Sequence, residues 1–236
     1  MQPAIQVRTW WKQQRSQAGV AKTTAKLLAA TWRFLRESTP SRRRQRYGDV
    51  DYDWEYRVDT TSAALPWPDR LLGQLYSPYQ PTDPAVFHEM MAQLPEPLDA
   101  FTFVDLGCGK GRTLLLASEY EFRRIVGVEL LPSLHAIAQA NLARFSSGRQ
   151  KCFRLEAICG DAAEFAFPNE PSVIYLFNPL SAGHLARVAD RLQTSLTMSP
   201  RPVYVLYHIP EHDQVFANRR WFRKISGTHQ YSIYAS

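Results

Sequence analysis

The stretch Phe101-Thr-Phe-Val-Asp-Leu-Gly-Cys-Gly-Lys-Gly-Arg112 decides the fold that we expect for this chain. Its first half, 101–106, is short, apolar and rich in strand-forming residues, which predicts a buried strand. Three glycines then interrupt the pattern, and good helix formers follow over 113–120. Strand, glycine turn and helix together are typical of a nucleotide-type cofactor site. Glycines leave no Cβ in the way of a ligand, and a helix N-terminus offers free N–H groups.

The spacing of the glycines and the neighbouring acids indicates the kind of cofactor. Dinucleotide sites carry G-x-G-x-x-G and direct a pyrophosphate to the helix, whereas this chain has G-x-G-x-G with Asp105 two residues before Gly107. An acid there would repel a pyrophosphate but suits a cation such as S-adenosylmethionine, which carries an ammonium and a sulfonium. Glu129 lies eighteen residues after Gly111 and ends a second apolar run. A carboxylate in that position can accept both ribose hydroxyls.

These motifs resemble the class I S-adenosylmethionine-dependent methyltransferases, through Val104 to Gly111 and Val126 to Glu129. The resemblance covers about residues 76–236. Within that class, Tyr79-Gln-Pro-Thr82 is similar to a branch that includes non-SET protein-lysine methyltransferases. The chain also resembles an uncharacterised bacterial methyltransferase family. In the lysine branch this loop covers the methionine end of the cofactor; the alternative is that Tyr79 and Thr82 only pack and cap a helix.

The resemblance implies a cofactor role for each motif. Asp105 would bind the methionine ammonium, and Glu129 would bind the ribose. The glycine loop would leave space beside the protein backbone for the cofactor. Asp161, after the third predicted strand, would accept from the adenine amine, with the N–H of Ala162 facing a ring nitrogen. The alternative for Asp161 is a helix N-cap, since aspartate is a preferred cap residue. The expected cofactor-binding residues are Tyr79, Thr82, Asp105, Gly107, Cys108, Gly109, Gly111, Glu129, Asp161, Ala162 and Asn178.

Asn178-Pro179-Leu180 is the main clue to the methyl acceptor. It resembles the Asn/Asp-Pro-Pro-Tyr/Phe motif of amino-group methyltransferases, although Leu180 replaces the second proline and no aromatic residue follows. Asn178 and Pro179 would then present carbonyl acceptors to an amino group; a structural turn is the alternative. His208, at the end of the fifth predicted strand, is either a general base, since histidine titrates near neutrality, or a hydrogen-bonded wall residue. No metal site is indicated.

Asp83-Pro84 predicts the start of a helix that continues to about Leu94. From residue 101 onward, strands and helices alternate regularly, and strands are expected over 101–106, 124–129, 152–158, 172–177 and 203–208. Repeating units of this kind predict a doubly wound α/β fold with a mostly parallel seven-stranded sheet and helices on both faces. Segments 221–225 and 229–234 predict a closing antiparallel hairpin. We expect three regions: a basic helical extension (1–46), an irregular acidic and proline-aromatic segment with a lid helix (47–98), and the S-adenosylmethionine-binding domain (99–236).

The charge of the chain is divided unevenly. Residues 1–46 hold eleven basic residues and one acid, whereas the remainder holds seventeen basic and twenty-one acidic residues, a net −4. A negative domain favours a basic acceptor, such as a lysine-rich protein segment, over nucleic acid and then a small metabolite. The basic helix predicted over 8–37 would pack on the domain or on a second subunit in a homodimer, lie on a membrane surface, or contact nucleic acid.

The remaining composition predicts a cytoplasmic enzyme. Its three cysteines show no metal-binding spacing, no apolar run reaches the ~20 residues of a membrane span, and the N-terminus lacks the apolar core of a signal peptide. We therefore expect an S-adenosylmethionine-dependent methyltransferase acting on nitrogen. Two alternatives are a non-catalytic scaffold with the same fold and a nicotinamide-dependent oxidoreductase.

Overall fold

The computed structural model describes residues 3–37, 50–61, 79–95, 97–177 and 180–236. It divides the chain into two compact units: Met1–Glu55 with Thr61–Gln80, and Tyr56–Thr60 with Pro81–Ser236. The second unit contains the whole sheet. Residues 56–60 and 81–98, which the sequence assigns to a separate segment, are grouped with the sheet.

Two helices lie in or begin in the first unit, α1 (Pro3–Glu37) and α2 (Val50–Tyr56). Helix α1 is not continuous, because Gly19 has φ 76° and ψ 166°. Lys26 Nζ donates to Gln14 Oε1 at 2.8 Å, although twelve residues would span about 18 Å along a straight helix. The two arms therefore fold back at Gly19, and the single helix predicted over 8–37 is wrong in shape. Helix α2 occupies part of the segment 47–98, which the sequence predicts to be irregular before its lid helix, while the arginine-rich residues 42–46 lie outside the described residues.

The sheet of the second unit has seven strands in the order β3-β2-β1-β4-β5-β7-β6. Strands β1 to β5 are parallel, and β7 runs antiparallel to both β5 and β6. The predicted sheet and its closing hairpin are confirmed. The strands are β1 (Thr102–Leu106), β2 (Arg124–Glu129), β3 (Leu155–Cys159), β4 (Ser172–Phe177), β5 (Val203–His208), β6 (Arg223–Gly227) and β7 (Tyr231–Ala235).

The helices of the second unit connect these strands. Asp83 caps the first of them, accepting from Ala85 N at 2.7 Å, with Pro84 at the first helical position as predicted. That helix ends at Met91, before the expected Leu94. The helices are α3 (Pro84–Met91), α4 (Arg112–Ala117), α5 (Pro132–Arg144), the 3-10 helix Ala162–Glu164, α6 (Ala182–Met198) and α7 (Gln214–Ala217).

Apolar side chains of the central strands pack against α6. The buried residues of α6 recur every three or four positions, so one face of the helix is apolar and is covered by the sheet. A separate aromatic cluster joins Phe87 of α3 to Phe103 of β1 and Tyr175 of β4, with ring centroids 5.9 Å from Phe87 in both cases. This cluster holds α3 and the loop before it close to the carboxyl ends of β1 and β4.

Candidate active site

The chain reverses its direction across the sheet between β1 and β4. In open α/β sheets, ligands bind beyond the carboxyl ends of the strands at such a switch point. The structure brings Asp105 of β1, Glu129 of β2 and His208 of β5 to this edge, with Phe177 of β4 in register with His208. The predicted arrangement of strand-end residues is therefore observed for these positions.

The glycine loop between β1 and α4 depends on left-handed backbone conformations. Gly107, Gly109 and Gly111 have φ values of 96°, 55° and 86°. A Cβ at position 111 would also lie 3.3 Å from the Cβ of Ala138 in α5. Since side chains rarely tolerate such φ values, the loop requires glycine and keeps its backbone open to a ligand.

Cys108 lies within this loop but its thiol is not part of an open surface. The side chain is buried, and a Cβ added to Gly127 of β2 would lie 2.7 Å from Cys108 Sγ. Burial and the nearby acids raise the pKa of the Cys108 thiol well above its ordinary value. Only the backbone of Cys108 is therefore suited to cofactor contact.

Glu129 binds the backbone of the glycine loop and of the turn that follows β2. Its Oε2 accepts from Gly109 N at 2.9 Å, and its Oε1 accepts from Leu131 N at 2.8 Å. Burial raises the pKa of Glu129, while these backbone bonds oppose the shift. Each carboxylate oxygen can accept a second hydrogen bond, so ribose hydroxyls can bind without releasing the loop. Leu130, 37% exposed, adds apolar surface beside this acid that the sequence analysis did not identify.

Asp105 is a second buried acid, two residues before the same loop begins. Its side chain is buried, and burial together with the charge of Glu129 raises its pKa well above the ordinary value, opposed by a hydrogen bond with Thr113. A cation at this edge would favour the ionised form of both acids. The site therefore fits a positively charged ligand better than a pyrophosphate.

A chain of buried hydrogen bonds runs from α4 to β5. Thr113 Oγ1 lies 3.1 Å from Thr82 Oγ1, which lies 2.9 Å from the hydroxyl of Tyr175. That hydroxyl is 2.9 Å from His208 Nδ1. Thr82 is thus joined to the strand ends, whereas Tyr79 belongs to the first unit and its cofactor contact stays a prediction. Sequence reasoning missed Tyr175, because a tyrosine in an apolar strand gives no local sign of its partners.

His208 is a buried member of an aromatic pair. Its ring stacks on Phe177 with centroids 4.1 Å apart and planes 25° from parallel. Burial lowers the pKa of His208 from 6.5 to about 4, with the charge of Asp83 opposing the shift. The imidazole is therefore neutral at pH 7 and a weak proton acceptor, since a general base works best with a pKa near the working pH. These features favour the role of a wall residue.

Asp161 caps the 3-10 helix that follows β3. Its Oδ1 accepts from Ala163 N at 2.8 Å, which is the alternative role expected for it. Gly160 N donates to Glu129 O at 2.9 Å, so this turn is tied to the end of β2. Adenine binding by Asp161 and Ala162 stays a prediction. Asn178 and Pro179 lie outside the described residues, and their roles stay predictions too.

The described residues contain neither a metal-binding cluster nor a membrane-spanning helix. No group of three or more His, Cys, Asp or Glu side chains within the ranges given above is arranged to hold a metal ion. Across the same ranges, no helix combines the length and the apolar character needed to cross a membrane.

Residues 103–197 match a family model described as methyltransferase domain. This part of the chain is a methyltransferase domain. The match begins in β1 and extends to the last turn of α6, so it contains the glycine loop, Glu129 and the aromatic residue Phe177. With the sheet order, it confirms the expected Rossmann-like methyltransferase fold.

Several solved structures are similar to this chain. A candidate methyltransferase from Pseudomonas syringae is 16% identical, with 64% of this chain and 96% of that chain covered and a TM-score of 0.50. An RNA methyltransferase from Salinibacter ruber in complex with S-adenosyl-L-homocysteine is 22% identical, with 66% and 92% covered and a TM-score of 0.43. A ribosomal protein L11 methylase from Lactobacillus delbrueckii subsp. bulgaricus is 14% identical, with 64% and 74% covered and a TM-score of 0.44. No curated protein matches the sequence closely enough to count as a relative.

Proposed function

We propose that this enzyme transfers a methyl group from S-adenosylmethionine to an amino nitrogen, with a protein lysine as the acceptor. The observation that carries the proposal is the stacked pair of Phe177 and His208 at the ends of β4 and β5. Phe177 directly precedes Asn178-Pro179-Leu180, which resembles the motif of amino-group methyltransferases. Aromatic rings next to carbonyl acceptors suit a lysine side chain, because the rings can contact its alkyl chain and the carbonyl oxygens can bind its amino group.

The cofactor contacts follow from the acids around the glycine loop. The charge of Asp105 attracts the ammonium and the sulfonium, and the second lone pairs of Glu129 accept the ribose hydroxyls. Asp161 and the N–H of Ala162 bind adenine at the adjacent strand end. Thr82, held by Thr113 and Tyr175, positions the loop that begins at Tyr79 over the methionine end. A dinucleotide is disfavoured because the buried acids would repel its phosphates.

The protein mainly aligns the two reactants and excludes water. S-adenosylmethionine, when bound, supplies a methyl carbon activated by a neighbouring sulfonium. Asn178 and the carbonyl before Pro179 hold the hydrogens of the acceptor amine so that its lone pair faces that carbon. The nitrogen must be neutral to attack, and the partly buried Phe177 and the buried His208 favour the neutral amine by desolvation. The proton that leaves passes to solvent.

The charge distribution supports a basic acceptor. Residues after 46 carry a net −4, which attracts a lysine-rich segment and repels a nucleic-acid backbone. The eleven basic residues of 1–46 provide a separate cationic region for a membrane surface, a second subunit or another partner. Nucleic acid and a small metabolite are the alternative acceptors, and a scaffold that binds S-adenosylmethionine without turnover is the alternative to an enzyme.

A labelling experiment distinguishes these functions. The purified chain is incubated with tritiated methyl donor and cell lysate, and the product is treated separately with protease and nuclease. We expect the label to become soluble with protease, and mass spectrometry to locate it on lysine. Label released by nuclease, or found only in small molecules, would contradict the protein acceptor. Gly111→Val, which cannot adopt φ 86° without strain, serves as the inactive control.

A further inference from the structure

A short segment upstream of the matched domain contacts the glycine loop. We call Tyr56–Thr60 the strap; it is grouped with the sheet, although the family match begins only at residue 103. At one end, the Tyr56 ring lies 5.4 Å from that of Phe145, and its hydroxyl accepts from Arg149 Nη2 at 2.7 Å. The strap is therefore attached to the C-terminal end of α5.

The centre of the strap contacts the glycine loop through an ion pair. Asp59 Oδ1 lies 2.6 Å from Lys110 Nζ, and Lys110 is the residue between Gly109 and Gly111. The lysine side chain is 0% exposed, whereas that of Asp59 is 46% exposed. A fully desolvated ammonium depends strongly on the carboxylate that it contacts, so Asp59 constrains where Lys110 can lie.

Backbone hydrogen bonds reinforce this contact. Asn141 of α5 accepts from Asp59 N at 2.8 Å through Oδ1, and its Nδ2 donates to Asp59 O and to Lys110 O, both at 2.8 Å. Arg112 Nε, at the start of α4, donates to Thr60 Oγ1 at 2.7 Å. One buried amide thus joins the strap and the loop through their main chains, which fixes their separation.

We infer that Asp59 is a positioning residue for the cofactor loop. Gly109, one residue before Lys110, donates to Glu129 Oε2 at 2.9 Å. The loop is therefore held at two adjacent residues, Gly109 by Glu129 and Lys110 by Asp59, so a displacement of Lys110 moves the N–H that orients Glu129. The strap contributes to cofactor affinity without touching the cofactor. This inference rests on the proposed roles of the glycine loop and Glu129.

Asp59→Asn in the full chain tests the inference. The amide keeps the size of the side chain but removes its charge. We expect S-adenosylhomocysteine to bind at least tenfold more weakly in calorimetry. The KM for S-adenosylmethionine should rise by a similar factor, while kcat at saturating cofactor stays within threefold. Glu121→Gln is the matched control, because it removes an exposed ion pair of 3.7 Å with Lys151 and should leave binding unchanged.

Two further variants keep the test decisive. Asp59→Asn with Lys110→Met removes both charges and should recover affinity to within threefold of wild type. If Asp59→Asn does not fold, Asp59→Glu retains the charge and lengthens the side chain, so it should fold with weakened binding. Wild-type affinity within twofold in the folded single variant, or no recovery in the double variant, would overturn the inference. Absence of S-adenosylhomocysteine binding by wild type would instead overturn the proposed function.

Discussion

Alanine at position 127 tests how β2 positions the glycine loop. Gly127 is paired with Asp105 on one side and Ala157 on the other, in the middle of the parallel sheet. A Cβ there would lie 2.6 Å from Leu114 Cδ1, 2.7 Å from Cys108 Sγ and 2.9 Å from Cys108 Cβ. These separations are shorter than side-chain atoms tolerate, so the neighbours must move.

The expected cost follows from overpacking a tight core. Such insertions typically destabilise by about 1–3 kcal/mol, which in a chain of this size lowers Tm by roughly 2–12 °C. The far end of Leu114 can rotate away, but Cys108 cannot, because its N–H is bound to Val128 O at 3.0 Å. Relief of the clash therefore displaces the loop, and we expect S-adenosylhomocysteine affinity to fall about fivefold, equivalent to about 1 kcal/mol.

Urea unfolding and calorimetry of Gly127→Ala measure both effects. Gly148→Ala is the control, because a Cβ at that position meets nothing within 4 Å. The control should match wild type within about 0.5 kcal/mol. Equal stability of Gly127→Ala and wild type would refute the packing argument. Lower stability with unchanged affinity would refute the link between β2 and the loop.

Four more variants test separate parts of the site. Burial lowers the pKa of His208 from 6.5 to about 4, so between those pH values the unfolded chain binds a proton that the folded chain does not. The free energy of unfolding of the wild type should fall by about 2–3 kcal/mol as the pH falls from 6.5 to about 4, whereas that of His208→Asn should not. Equal pH dependence of the two free energies, measured by urea unfolding, would contradict this. Glu129→Gln should weaken S-adenosylhomocysteine binding about 10–100-fold in calorimetry, because hydrogen bonds to charged groups contribute about 1.5–3 kcal/mol; unchanged affinity would remove Glu129 from the ribose site. Asn178→Ala should leave that affinity nearly unchanged while methyl transfer falls at least about tenfold; equal losses would assign Asn178 to the cofactor site or the fold. Tyr175→Phe removes the hydroxyl between Thr82 and His208, so urea unfolding should show about 1–3 kcal/mol lower stability, and no loss would mean that the chain of hydrogen bonds is not stabilising.

Much of the domain could be predicted because its signals are local. Strands 124–129, 172–177 and 203–208 agree with β2, β4 and β5 to the residue, since each is an apolar run bounded by polar residues or turns. Gly107, Gly109 and Gly111 mark a left-handed loop for a reason contained in the glycines themselves. Residues 8–37 are helical as expected, but the prediction of one continuous helix was wrong. The reversal at Gly19 could not be predicted, because the spacing of the apolar residues does not indicate it.

The sequence by itself therefore determined the order of the elements, the glycine loop and the acids at the strand ends, all of which depend on residues close together in the chain. Only the tertiary structure decided which distant side chains meet. It pairs Asp59 with Lys110, and it joins Thr82 to His208 through Tyr175. It also decided the neutral state of His208, because desolvation depends on the neighbours that folding supplies. The spacing of apolar residues identifies which face of a helix or strand is buried, but not which other element packs against that face.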